Sequence, residues 1–275
     1  MPPQPSGLLY KNLFDGDMRD ITLDRLSKGL DAIVENAKWL LEDAKVFADA
    51  KRYTRADFLV ATAEEEIAKS YILLDACRLD FTRHKSVLKR LCRAFYSHVE
   101  KYAYYKVAHF DAKVHFHDMK QVREFFHNEL VRWWPSADME SGEPDMPHET
   151  YFKRELNLYV DFNDCDQQWT LVRPDEQKFI FDKQLLNSDP ISDCYNLLNK
   201  LLDTRDKGLY KPEALNILNE IFKNQYITEC TPTEQLLSLY KMAADKIGHS
   251  LKITSDQFEK SALKEWPLYH FLQDK

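Results

Sequence analysis

Apolar residues recur along the first third of the chain at steps of three and four, a spacing that predicts helices. Leu23, Leu26, Leu30, Ile33, Ala37, Leu40, Ala44 and Phe47 form one unbroken stripe, with Asp20 or Thr22 placed to cap its start. After a short turn at Ala50–Tyr53, the residues Ala56, Leu59, Ala63, Ile67, Tyr71 and Leu74 repeat the pattern, and Thr54 is the predicted cap. Small residues in the second stripe where the first has large ones favour a close antiparallel hairpin. A third helix starts near Lys85, buries Val87, Leu88, Leu91, Cys92, Phe95, Tyr96 and Val99, and runs past Val107. A fourth spans Met119 to Trp134 and stops at Pro135.

Beyond that point the pattern changes twice. Residues 136–149 hold two prolines, a glycine and five acids, and read as an exposed loop. Leu158 to Val172 alternates around a polar turn and predicts a β-hairpin, closed by Pro174. Two strands alone are marginal in water, so the hairpin must pack on helices. Helical patterns return at 176–186, at 190–205 with Pro190 in the first turn, and at 212–224, 232–247 and 255–272. The expectation is a mainly α fold: a helical bundle with a small β-hairpin insert and additional C-terminal helices. Three parts follow: an arm at 1–20, a helical domain at 21–175 with its hairpin near 158–172, and a helical extension at 176–275.

Composition narrows the class. Hydrophobic content of 44% supports a packed core, and a pI near 5.8 argues against a general nucleic-acid coat while leaving room for a local basic cleft. The five cysteines (Cys77, Cys92, Cys165, Cys194, Cys230) are widely spaced and include no C-x-x-C pair, which fits a reducing cytosol better than a disulfide framework. No apolar run reaches the length of a membrane span, and the N-terminus has neither a basic n-region nor an apolar h-region, so a cytoplasmic protein is expected. The pieces LLY and NLF in the arm read as docking points. There is no G-x-G-x-x-G, Walker loop or G-x-S-x-G, and six glycines leave little material for a phosphate cradle, so no cofactor is called for. Trp133, Trp134, Trp169 and Trp266 read as core or interface residues.

The candidate chemistry lies between Arg83 and Lys106. There Arg83, Lys85, Lys89, Arg90, Arg93, Lys101 and Lys106 face a single acid, Glu100, in a chain of net charge −7. A concentrated positive field suits a phosphate-bearing ligand, with Arg90 and Lys89 as further phosphate contacts, and His98 can exchange protons near neutral pH. Two Arg–His pairs have four to six residues between them, Arg93 with His98 and Arg78 with His84, and the basic surroundings, Tyr96 and Lys101 favour the first. On a straight helix Arg93 and His98 lie about 140° apart, so they converge only on a distorted helix or in a cleft completed by a second copy. Of Glu64, Glu65 and Glu66, which precede Lys69, at least one must approach the apolar face, where it needs a cation such as Arg93 or Lys101; Glu64 reads as solvated. A separate cluster, His109, Asp111, His115, His117 and Asp118, offers metal ligands at helical spacing and supports an alternative reading as a metal-dependent phosphohydrolase.

Three stretches carry a resemblance. They are Asn36-Ala-Lys-Trp-Leu-Leu-Glu-Asp-Ala44, then Ala61-Thr-Ala-Glu-Glu-Glu-Ile-Ala-Lys69, similar to an A-x-x-E-E-x-x-K pattern, and Phe95-Tyr-Ser-His98-Val-Glu-Lys101, similar to F-x-x-H-x-x-K. Together with Leu158-Tyr-Val-Asp161, Trp169 and Pro174, they resemble the AbiV family of abortive-infection proteins within the HEPN group, over about residues 28 to 175. The resemblance implies a HEPN-like helical core, a role in defence against phage by arresting growth or translation, and a metal-independent ribonuclease acting on RNA as a homodimer. It further implies that Arg93 and His98 are catalytic, with Lys101, Tyr96, Glu65, Glu66 and Lys69 in support. HEPN nucleases often carry a polar residue directly after the arginine, where this chain has Ala94. A different class of function, a non-catalytic protein that binds a ribosomal or phage-encoded partner, would use the acidic loop 136–149 and the C-terminal helices.

Overall fold

A computed structural model describes residues 5–14, 19–98, 100–101, 104–105, 161–163, 168–170, 190–222 and 233–246. Over these the protein is mainly α. The long hairpin of α2 (Arg19–Asp49) and α3 (Tyr53–Cys77) is the frame, preceded by α1 (Pro5–Phe14) and followed by α4 (Lys85–Ala94). Three later helices, α5 (Pro190–Asp206), α6 (Pro212–Phe222) and α7 (Thr233–Lys246), complete it. Asp161–Asn163 (β1) pairs antiparallel with Gln168–Thr170 (β2), Phe162 opposite Trp169. The rest of the stretch predicted as a hairpin lies outside the described residues, as do the predicted helices 119–134, 176–186 and 255–272.

The stripe on α2 is buried at Leu23, Leu26, Leu30, Ile33, Ala37 and Ala44, joined by Val34 and Leu41, while Leu40 stays half-buried at the edge of the core. Gly29 lets α3 come close: a Cβ there would stand 3.2 Å from Leu73 Cδ1. α3 differs in kind from α2. From Ser70 to Cys77 every residue is buried, because α2, α4, α5 and α6 all pack around it. A helix covered on all sides must answer every polar group it carries from within the protein.

The hairpin turn between α2 and α3 is closed by backbone bonds. Lys51 adopts a left-handed φ of 58°, its N–H reaches the Ala48 carbonyl and the Arg52 N–H reaches Phe47, which ends α2 in a Schellman arrangement. α3 begins at Tyr53 with Arg52 at its cap position and no side-chain cap, so Thr54 sits inside the first turn and does not cap it. Likewise α2 starts at Arg19, ahead of both residues expected to cap it, and the buried Thr22 hydroxyl instead donates to the Leu13 carbonyl at 2.6 Å, tying α1 down.

The N-terminal arm is therefore a helix docked on the bundle. Leu9, Leu13 and Phe14 of α1 meet Ile72, Leu73 and Ala76 of α3, Leu91 and Cys92 of α4, and Phe95 just after it, around a small apolar pocket. From the other end of the chain, Cys194, Leu197, Leu198, Leu201, Leu215, Leu218 and Tyr240 belong to the same core as the α2 stripe. Asn219 of α6 donates its side-chain amide to the carbonyls of Cys77 and Leu79, both at 2.7 Å, and so completes the end of α3. Arg205 of α5 pairs with Glu35 of α2 at 2.9 Å.

Candidate functional site

α4 is short. It ends at Ala94, and the chain turns at Phe95 and Tyr96 before helical structure resumes at His98. The single helix expected from Lys85 past Val107 is thus broken between the two residues of interest. The break has a local cause. The Arg93 carbonyl accepts the N–H groups of both Tyr96 and Ser97, each at 3.0 Å, which tightens the last turn of α4. Ser97 then caps the next segment: its carbonyl accepts the Lys101 N–H at 3.0 Å, and its hydroxyl accepts the Glu100 N–H at 3.4 Å. Ser97-His-Val-Glu100 is a capping-box spacing, a start signal that the apolar periodicity concealed. One result is that Tyr96, expected on the buried side, is 46% exposed.

Immediately after the break, the chain meets α3. Glu65 is buried, and its carboxylate is shared between two partners: His98 Nδ1 lies 2.7 Å from Oε1, and Lys101 Nζ donates to Oε2 at 2.6 Å. The cation that answers Glu65 is therefore Lys101. Burial works to raise the Glu65 pKa, but the hydrogen bonds and charges of His98 and Lys101 outweigh it and hold the group at about 2. An ionised Glu65 accepts only, so His98 donates through Nδ1–H. In the neutral imidazole this fixes the tautomer and leaves the basic lone pair on Nε2. Lys101 is 5% exposed at its side chain and His98 36%, so the ammonium is interior while the ring reaches the surface.

The supporting residues sort themselves around this triad. Lys69, one turn beyond Glu65 on α3, donates to Glu66 at 2.6 Å and places its ammonium 5.3 Å over the Phe95 ring. Glu64 is half-buried and hydrogen-bonded to Tyr105 beside Cys194, which corrects the expectation of a solvated side chain. Arg93 is exposed in the last turn of α4, where a cation also favours the helix C-terminus. Lys89 lies 5.2 Å over the Tyr10 ring of α1, and Arg90 is half-buried on α4. The rival pair separates: His84 Nδ1 accepts the Asp80 N–H, whereas Arg78 is buried. Arg78 binds Asp75 at 3.0 Å and the Tyr240 hydroxyl at 2.6 Å, and Tyr104 donates to the other Asp75 oxygen at 2.9 Å. Sequence reading gave no sign of this second network, since Arg78 and Tyr240 are 162 positions apart.

The cluster proposed as a metal site, His109 to Asp118, lies outside the described residues, and among the described residues no group of three metal-ligating side chains occurs. No described helix is long and apolar enough to cross a membrane. The HEPN_AbiV family model, described as AbiV, matches residues 25–179, more than half of the chain. The chain belongs to the AbiV family. It is an abortive-infection protein of the HEPN type, and the matched span contains all of α3, α4 and the Glu65–His98–Lys101 triad. No curated protein and no solved structure matched. This AbiV protein extends beyond the family match at both ends, with α1 before it and α5 to α7 after it; α1, α5 and α6 pack on the matched helices, and α7 packs on α6.

Proposed function

We propose that this AbiV protein arrests infected cells as a metal-independent endoribonuclease, with His98 and Arg93 at its centre. The observation that carries the reading is the carboxylate of Glu65 on Nδ1 of a surface imidazole. A carboxylate so placed orients a histidine and stabilises the imidazolium formed when it takes a proton. His98 Nε2 would accept the 2′-hydroxyl proton of RNA, the 2′-oxygen would bond to the adjacent phosphorus, and the 5′-oxygen would leave and be protonated. Arg93 would hold the phosphate oxygens and offset the charge that builds on them. Lys101, interior and paired with Glu65, serves to keep that carboxylate charged and in place rather than to touch RNA. The break after α4 favours convergence of Arg93 and His98, since the angle of a straight helix no longer separates them. A second copy of the chain would supply the opposite wall of the cleft.

The test is His98→Ala in full-length protein. Cleavage of RNA by the purified protein should fall by about 10²–10⁴, the usual worth of a general acid–base, and growth arrest on expression should vanish while circular dichroism stays native. Arrest that persists in folded His98→Ala protein would replace this reading with one of binding to a ribosomal or phage-encoded partner.

A further inference from the structure

Phe95 takes no part in the chemistry above, yet it occupies the turn that joins Arg93 to His98. Its ring is gripped from two directions. On one side Lys69 holds its ammonium 5.3 Å from the ring centroid, steadied by Glu66 at 2.6 Å. On the other, Phe95 shares an apolar pocket with Leu9, Leu13 and Phe14 of α1 and with Leu91 of α4. The ring of Tyr96 stands edge-on to it at 5.4 Å. The backbone bonds of this turn, from the N–H groups of Phe95, Tyr96 and Ser97 to the carbonyls of Leu91, Arg93 and Ala94, shape the chain but do not tie it to α1 or α3. A side chain anchored at the middle of the turn fixes where α4 stops and therefore how the Arg93 side chain stands to the His98 ring.

We infer that Phe95 is a positioning residue of the site, an aromatic anchor clamped between Lys69 of α3 and helix α1 that sets the spacing of the Arg93 guanidinium and the His98 imidazole around one phosphate. The inference rests on the nuclease reading of Arg93 and His98 and adds two things to it. The site depends on a cation–ring contact from α3. It also depends on α1, which lies outside the family match. Misplacement of reacting groups by about 1 Å is enough to cost on the order of 10² in rate.

The experiment titrates full-length protein, labelled with 15N at histidine and arginine, with inorganic phosphate. In the wild type the His98 ring nitrogens and the Arg93 Nε–H respond with one shared midpoint. In Phe95→Leu that midpoint weakens by about tenfold, the loss of one charge-assisted hydrogen bond, and the two resonances titrate apart. Phe95→Tyr, which keeps the ring, behaves as the wild type. Lys69→Met removes the cation without opening the core and weakens the midpoint in the same direction, so the test survives if Phe95→Leu does not fold. Wild-type midpoints in folded Phe95→Leu and Lys69→Met overturn the inference and leave the nuclease reading standing. Separate responses of Arg93 and His98 in the wild type overturn the nuclease reading itself.

Discussion

α3 buries three acids, Asp57, Glu65 and Asp75, and the last two end in opposite states. Both are answered by residues that follow α4 in sequence, Lys101 and His98 for Glu65 and Tyr104 for Asp75. Burial pushes both carboxylates upward. At Glu65 a lysine and an imidazole reverse that effect and bring the group to about 2, whereas at Asp75 burial prevails over Arg78 and the Tyr104 hydroxyl, and the group rises to about 7. The decisive difference is access. Around Asp75 every partner is almost fully buried, while beside Glu65 the His98 ring stands at the surface. A charged cluster inside a helical bundle becomes a candidate for chemistry when one member reaches solvent and can change its proton count near neutral pH. Without that member it is a clasp.

If the Asp75 network is a clasp, breaking it should cost most. Arg78→Met takes the guanidinium away from both Asp75 and the Tyr240 hydroxyl, and a loss of about 3–5 kcal/mol is expected, read as a collapse of the urea midpoint or as failure to recover soluble protein. Lys101→Met should come next, at about 3 kcal/mol, because the buried Glu65 carboxylate loses its ammonium; a cost below 1 kcal/mol would mean that Glu65 is not held as a buried charge.

The same site predicts a pH window. The folded pKa of Glu65 lies below its ordinary 4.5, so its contribution is complete above that value and lost as pH falls from 4.5 towards 2. The wild type should exceed Glu65→Gln by roughly 3 kcal/mol at neutral pH, and the gap should shrink steadily in melts taken below pH 4.5. Smallest of all is the stability effect of His98→Ala, about 1 kcal/mol, since Lys101 still satisfies Glu65. Tyr240→Phe, which removes one hydroxyl from the sealed network, should cost more than that. The reverse order would erase the distinction between the two clusters.

How much of this was legible beforehand depended on sequence distance. The stripes of α2 and α3 lie within single helices, where periodicity reads burial directly, and the helices α5 and α6 were marked by Pro190, Gly208 and Pro212. The break at Phe95–Ser97 was local too and carried its signal in Ser97 and Glu100, but an apolar stripe running through Leu91, Phe95 and Val99 masked it. Glu65, a single buried acid among three adjacent ones, needed tertiary packing to be singled out. Arg78 looked like half of a weak Arg–His motif. Nothing near it in sequence announces Tyr240, or Phe222, whose ring lies 5.9 Å from the guanidinium carbon.

The bond from Arg78 to Tyr240, with Asn219 stapled across the end of α3, has a bearing on how the protein is made. A nascent chain that has already emerged through α4 still lacks the residues that seal its central helix. Until Tyr240 has been polymerised, a guanidinium and two carbonyls in the heart of the bundle face water instead of their native companions. The central helix is thereby closed only once the downstream helices exist, because the last stitches of the fold are encoded far from the residues they hold.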